Sequence, residues 1–159
     1  ISQAEAKDFI RKYFEAFSGV REYIDRTLEF TKKEGYCETL FGRRRYLPEL
    51  NASNFQLRSS AERMAINHPI QGTAADLMKM AMIKVSEKIN YVRNTKATKL
   101  RNEEIKILLQ VHDELVLEVK KELAEEVAEL VKNIMEKVVT LRVPVKVGIS
   151  INPSWGEMK

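Results

Sequence analysis

A single cysteine, Cys37, is the only thiol in the sequence. This excludes an internal disulfide and any thiolate metal cluster, and it suits a reducing compartment such as the cytoplasm. Apolar runs are short. None approaches the ~20 residues a membrane helix requires, and no stretch of signal-peptide character opens the chain. Histidine is scarce too, with only His68 and His112. A metallohydrolase built on His112-Asp113 needs further histidine and aspartate ligands, so that class has little support. Nothing repeats internally, and no segment is low in complexity.

What remains is an ordinary globular composition. At 159 residues and 44% hydrophobic content the chain is long enough for one domain with a real core. A net charge of +4 and a pI near 9.1 permit a polyanionic partner without demanding one. The first residue is Ile1, not Met, and it stands directly before a helix start, as though a larger protein had been cut there.

Ser2 and Glu5 form a capping box, after which Phe9, Ile10, Tyr13, Phe14 and Phe17 recur at helical spacing up to Gly19. A second helix carries Val20, Tyr23, Ile24, Thr27 and Leu28 on one face and ends at Gly35. Residues 36–41 predict a strand, Gly42 a turn, and 43–48 a short return ending at Pro48. Helical pattern resumes from about Phe55 to Ile66, breaks at Asn67-His68-Pro69, and restarts with Pro69 in the first turn of a helix reaching about Ile89. Gly72, Ala74, Ala75 and Ala81 crowd that helix with small side chains, which leaves room for something large to pass over it. The polar, basic residues 90–104 predict a loop, Leu123 to Val138 an amphipathic helix, and 143–151 a final strand. Long helices mixed with antiparallel strands make the class α+β.

Three constellations carry candidate chemistry. Residues 105–119 place apolar residues at Ile105, Ile107, Leu109 and Val111, and again at Leu115, Leu117 and Val119, around a bend holding Asp113 and Glu114. A hairpin holds its tip rigidly, and rigid oxygen ligands at a strand end suit a magnesium site on a phosphate substrate. Taken alone, such a pair more often simply solvates an exposed turn. A two-metal site also needs a second aspartate from elsewhere. Asp76, within a helical apolar stretch, reads as a structural acid, so the set looks chemically incomplete. Arg63, Asn67 and Gln71 at i, i+4 and i+8 would share a helix face apart from the break before Pro69. Such donors suit minor-groove acceptors, and a solvated polar face is the alternative. Gly42-Arg43-Arg44-Arg45-Tyr46 would contact phosphates without reading sequence, or form a surface charge cluster without a ligand.

The phrases ETLFGRRRYLPEL, ERMAINHPIQGTAADLMKMAM and LLQVHDELVLEV, in this order and rough spacing, closely resemble the C-terminal part of family A DNA polymerases, the bacterial DNA polymerase I type. The resemblance covers essentially the whole chain, with residues 90–104 matched only loosely. It implies an α+β palm-type antiparallel sheet with the motif C hairpin packed against long helices, within a right-hand polymerase architecture. Residues 1–54 would be part of the fingers and 55–159 the C-terminal part of the palm. Asp113 would be a catalytic aspartate coordinating both of two Mg2+ ions, Glu114 a secondary acid, and His112 a neighbour of the primer terminus in the minor groove. Gln71, Asn67 and Arg63 would lie near the template strand and nascent base pair, and Arg43, Arg44 and Arg45 beside the duplex. The implied partners are primer-template duplex DNA, a dNTP, and an upstream part of the polymerase bearing motif A and the helix that grips the nucleotide. The implied activity is DNA-directed DNA synthesis, not expected of this chain alone. A non-catalytic duplex-binding module is the alternative.

Overall fold

A computed structural model of the chain describes residues 1–95, 100 and 105–157. Contacts group them into two compact units, Ile1–Thr73 and Ala74–Lys159.

In the first unit, helix α1 spans Gln3–Ala16 and starts on the expected capping box. Glu5 donates its backbone N–H to the Ser2 hydroxyl at 3.2 Å, and the Glu5 carboxylate accepts from the Ser2 N–H at 2.7 Å. The helix ends at Ala16, earlier than Gly19. Phe17 leaves helical geometry (φ −122°, ψ 61°), and helix α2, Ser18–Glu34, takes Gly19 into its own first turn. Gly35 closes α2 as expected, at φ +80°, a conformation glycine adopts without steric cost.

The strand expected over 36–41 shortens to β1, Tyr36–Glu38, paired antiparallel with β2, Arg44–Tyr46. A turn over Thr39–Arg43 replaces the rest of the expected strand, closed by the Thr39 N–H on the Arg43 carbonyl at 3.0 Å. The Thr39 hydroxyl accepts from the N–H groups of Phe41 and Arg43, and Gly42 turns the chain at φ +79°. Cys37, Leu47, Leu50, Ala61 and Ala65 form the core of this unit. Burial pushes the Cys37 thiol pKa up.

Helix α3 is one continuous helix, Phe55–Asn94, forty residues long with Pro69 inside it. The expected break at Asn67-His68-Pro69 does not occur. An interior proline loses one helix hydrogen bond and crowds the carbonyl four residues back, costing about 3 kcal/mol. Two side-chain bonds reach carbonyls at and just beyond the proline. The Thr73 hydroxyl donates to the Pro69 carbonyl at 2.5 Å, and the Arg43 guanidinium donates to the Gly72 carbonyl at 3.0 Å. The helix also runs past Ile89 to Asn94, so the first residues of the expected loop are helical. Residues 96–99 and 101–104 of that loop lie outside the described residues.

In the second unit, β3 (Lys106–Val111) and β4 (Glu114–Glu118) form the expected hairpin. Its faces differ from the simple alternation. The register shifts between Ile107 and Leu109, so Ile107 pairs with Leu117 but Leu109 with Val116 and Val111 with Glu114. Cross-strand partners share a face, and a bulge at Leu108 therefore moves Leu109 and Val111 away from the face of Ile107, Leu115 and Leu117. That face packs on the cluster of Val85, Ile89, Val92, Leu100, Ile105, Val127 and Val131 from α3, the hairpin base and helix α4, Ala124–Glu136. The final strand expected over 143–151 does not form. The segment pairs with no neighbouring strand among the described residues, and a strand exists only through its ladder. Helices with separate antiparallel hairpins keep the class α+β. No helix among the described residues is long and apolar enough to cross a membrane.

The capping box makes α1 sensitive to acid. Hydrogen bonds from the Ser2 backbone and then its side chain hold the Glu5 carboxyl below its ordinary pKa. A depressed carboxylate supports the fold above its unfolded pKa, and that support is lost as pH falls through the lowered folded value. Helicity of α1, followed by NMR shifts of residues 3–8, is expected to fall on acidification below the ordinary carboxylate range. Ser2→Ala should remove the part of this pH dependence seen at Glu5; an unchanged profile in Ser2→Ala contradicts it.

Candidate functional site

In the first unit, unbroken α3 keeps Arg63, Asn67 and Gln71 on one stripe. Steps of four residues advance about 40° around a helix, so the three span less than a quarter turn. All three are exposed, while Ala61 and Ala65 on the other side of α3 are fully buried. Arg63 donates to the Ser59 hydroxyl at 3.1 Å; Asn67 and Gln71 make no side-chain hydrogen bond among the described residues. The Tyr23 hydroxyl donates to the Ile66 carbonyl at 3.1 Å and ties α2 to this stretch. The stripe presents amide and guanidinium donors that, among the described residues, no protein group consumes at two of its three positions.

The arginine cluster does not form one uniform surface. Arg44 and Arg45 lie in β2, where successive side chains alternate in direction. Arg44 stacks over Tyr36 at 4.4 Å from the ring centroid and pairs with Glu38 at 3.4 Å. Arg45 reaches the Met64 sulfur at 3.0 Å. Arg43 is committed in part to the Gly72 carbonyl. All three remain exposed, so their charge faces solvent even where one nitrogen is engaged.

In the second unit, Val111 pairs with Glu114, which leaves His112-Asp113 as a two-residue turn. His112 has φ +51°, the one positive φ at a non-glycine residue among those described. Such turns favour glycine or asparagine at positive φ, and a β-carbon there costs on the order of 1–2 kcal/mol. Strain of this kind persists where neighbouring structure enforces it. Here the Gln110 side-chain amide donates to the His112 carbonyl in a short hydrogen bond across the bend. His112, Asp113 and Glu114 are all exposed, and neither carboxylate is engaged in an ion pair or side-chain hydrogen bond among the described residues.

Unengaged hard oxygens at a rigid tip fit a divalent cation such as magnesium. They fit as part of a shell only, because no group of three or more His, Cys, Asp or Glu side chains able to hold a metal occurs among the described residues. The small residues around Gly72 proved informative. A β-carbon on Gly72 would lie 2.6 Å from the Thr39 methyl, so the turn does pass over the helix there. Sequence patterning missed Thr39, Thr73 and Gln110. For Thr73 a signal existed, since a threonine four residues after a helical proline can return a hydroxyl to the proline carbonyl.

Comparison with known proteins matches this arrangement to one family. The profile of DNA polymerase family A matches residues 1–157. The chain is 47% identical over 161 residues to DNA polymerase I of Geobacillus stearothermophilus, across all of this chain and 17% of that protein. It is 50% identical over 155 residues to the thermostable DNA polymerase I of Thermus aquaticus, across 98% of this chain and 17% of that protein. Among solved structures, the POL domain of Pol1 from M. smegmatis, in complex with DNA primer-template and dNTP, matches with a TM-score of 0.89 and 43% identity. That match covers 99% of this chain and 26% of the other. The chain thus spans only 17% of the length of these curated relatives.

The strained bend has a direct test. His112→Gly should raise the unfolding free energy by about 1 kcal/mol, since glycine accepts the positive φ and the exposed ring contributes little packing. Urea unfolding checks this; a loss of similar size would contradict the assigned strain.

Proposed function

The chain belongs to DNA polymerase family A, and from that premise we propose that it is the C-terminal fingers and palm portion of a template-directed DNA polymerase. Residues 1–54 belong to the fingers in this reading, and 55–159 to the palm, with the catalytic hairpin at 105–119. The reaction is attack of a primer 3′-hydroxyl on the α-phosphate of a dNTP, forming a phosphodiester and releasing pyrophosphate. Its partners are primer-template duplex, dNTP and the upstream part of the polymerase that supplies motif A and the nucleotide-gripping helix. The setting is cytoplasmic.

The observation that carries this reading is the tip itself: Asp113 on a two-residue turn in a costly backbone conformation and Glu114 next to it at the start of β4, both exposed and unengaged among the described residues. Asp113 is the metal-ligating carboxylate, Glu114 a secondary acid beside it, and His112 a contact of the primer end. Magnesium bound there would neutralise phosphate charge and make the hydroxyl a better nucleophile. The residues of the chain do the rest. The bend fixes the direction of Asp113, and Gln71, Asn67 and Arg63 offer donors to minor-groove acceptors present at every base pair, which grips the duplex without reading its sequence. Arg44 and Arg45, exposed on β2, add positive potential beside the phosphates, while Arg43 is engaged on the Gly72 carbonyl.

A non-catalytic duplex-binding module is the second reading, favoured by the lack of a three-ligand acidic cluster among the described residues. Primer extension separates the two. The chain is mixed with an upstream polymerase piece bearing motif A, magnesium, dNTPs and a primer-template. Extension is expected, reduced to background by Asp113→Ala and unaffected by Glu125→Ala at an exposed position of α4. Equal activity in the two variants, or none in the complemented wild-type chain while duplex is still bound, favours the binding module instead.

A further inference from the structure

We propose that the Thr39–Arg43 turn is a positioning element for the duplex-facing stripe of α3, holding Gln71 in line with Asn67 and Arg63 across Pro69. The proposal rests on the reading of that stripe as a DNA contact. The turn is internally stiff. The Thr39 N–H donates to the Arg43 carbonyl and the Gly42 N–H to the Thr39 carbonyl, both at 3.0 Å, and the Thr39 hydroxyl accepts from Phe41 and Arg43 at 3.3 and 3.2 Å. It grips the helix at two adjacent residues. The Leu40 N–H donates to the Thr73 hydroxyl at 2.9 Å, and the Arg43 guanidinium donates to the Gly72 carbonyl at 3.0 Å.

The grip extends to the proline through the same threonine. The same Thr73 oxygen that accepts from Leu40 donates its proton to the Pro69 carbonyl, so turn, threonine and proline form one relay. Contact is close enough that only glycine fits at 72, with the Thr39 methyl 2.6 Å from the position of a β-carbon. Proline is the commonest cause of sharp kinks in helices. Gln71 lies two residues beyond Pro69 and immediately before the gripped pair, and a kink there would swing its amide away from Asn67 and Arg63. None of Thr39, Arg43, Gly72 and Thr73 belongs to the apolar cluster of this unit, which ends at Ala65 along α3. Arg43 on this proposal acts through Gln71, in contrast to a direct phosphate contact.

The test uses the 159-residue chain and a fluorescent primer-template duplex, with affinity read by anisotropy over a range of KCl concentrations. Gln71→Ala is expected to weaken binding about 5–10-fold, the size of one good donor set in a groove. Thr73→Val should weaken it severalfold at an unchanged salt slope, Thr73→Ser should restore it, and Thr73→Val should add less than about twofold in the Gln71→Ala background. Arg43→Gln should behave as Thr73→Val does, whereas a phosphate contact would lower the salt slope by about 1. Amide hydrogen exchange without DNA gives a second readout: residues 70–74 should exchange faster in Thr73→Val while 61–66 stay as they were. Unchanged exchange, multiplying losses in the double variant, or a lowered slope in Arg43→Gln each overturns the positioning role alone. A Gln71→Ala chain that binds as the wild type does overturns the DNA-facing reading, and the positioning role with it.

Discussion

The passage of α3 through Pro69 is the constraint on which the rest of the first unit depends. A proline at that point should divide the helix, and a divided helix would scatter Arg63, Asn67 and Gln71 over unrelated directions. The contacts around the passage are few: a threonine hydroxyl on the Pro69 carbonyl, a guanidinium on the Gly72 carbonyl, and a glycine that admits the turn. The missing side chain at Gly72 matters as much as the side chains present, because the Thr39 methyl occupies its place. Buried Ala61 and Ala65 then hold the opposite side of the same helix on Cys37, Leu47 and Leu50. One face is fixed in the core, and the other is left free for donors.

The hairpin tip follows the same logic at shorter range. A two-residue turn fixes where Asp113 sits relative to β4, and the positive φ at His112 is held by the Gln110 amide. Rigidity is useful to a carboxylate proposed to hold a metal, since a flexible ligand loses entropy each time it binds. The tip nevertheless offers only part of a metal shell, and the chain spans 17% of its curated relatives. A site divided between this segment and the rest of a polymerase is the proposal that accommodates both facts.

Much of this was legible in the sequence where local rules decide. The Ser2–Glu5 box, the Gly35 cap and the hairpin around His112-Asp113 are short-range features with few alternatives. Two misjudged elements share a cause, a deciding partner distant in sequence or absent, and a third is hidden by composition. Pro69 reads as a helix start, whereas the helix runs on through it in a unit whose contacts, such as Arg43 on the Gly72 carbonyl, come from 29 residues away. The period-2 pattern of 143–151 reads as a strand, yet no neighbour pairs with it among the described residues. The bulge at Leu108 changes which apolar residues face the core, and an uninterrupted run of apolar side chains hides it. The donor stripe was visible as spacing, but whether it was continuous was not, because that turned on the same Pro69.

The most direct measurement is photocrosslinking from a primer-template duplex to the chain. A photoreactive nucleotide at the primer 3′ end is expected to label the peptide containing His112 and Asp113. One placed a few base pairs into the duplex should label the α3 peptide containing Asn67 and Gln71. Labelling concentrated on the outer surface of α4, or spread evenly over the exposed lysines, would contradict the assignment of both surfaces to DNA.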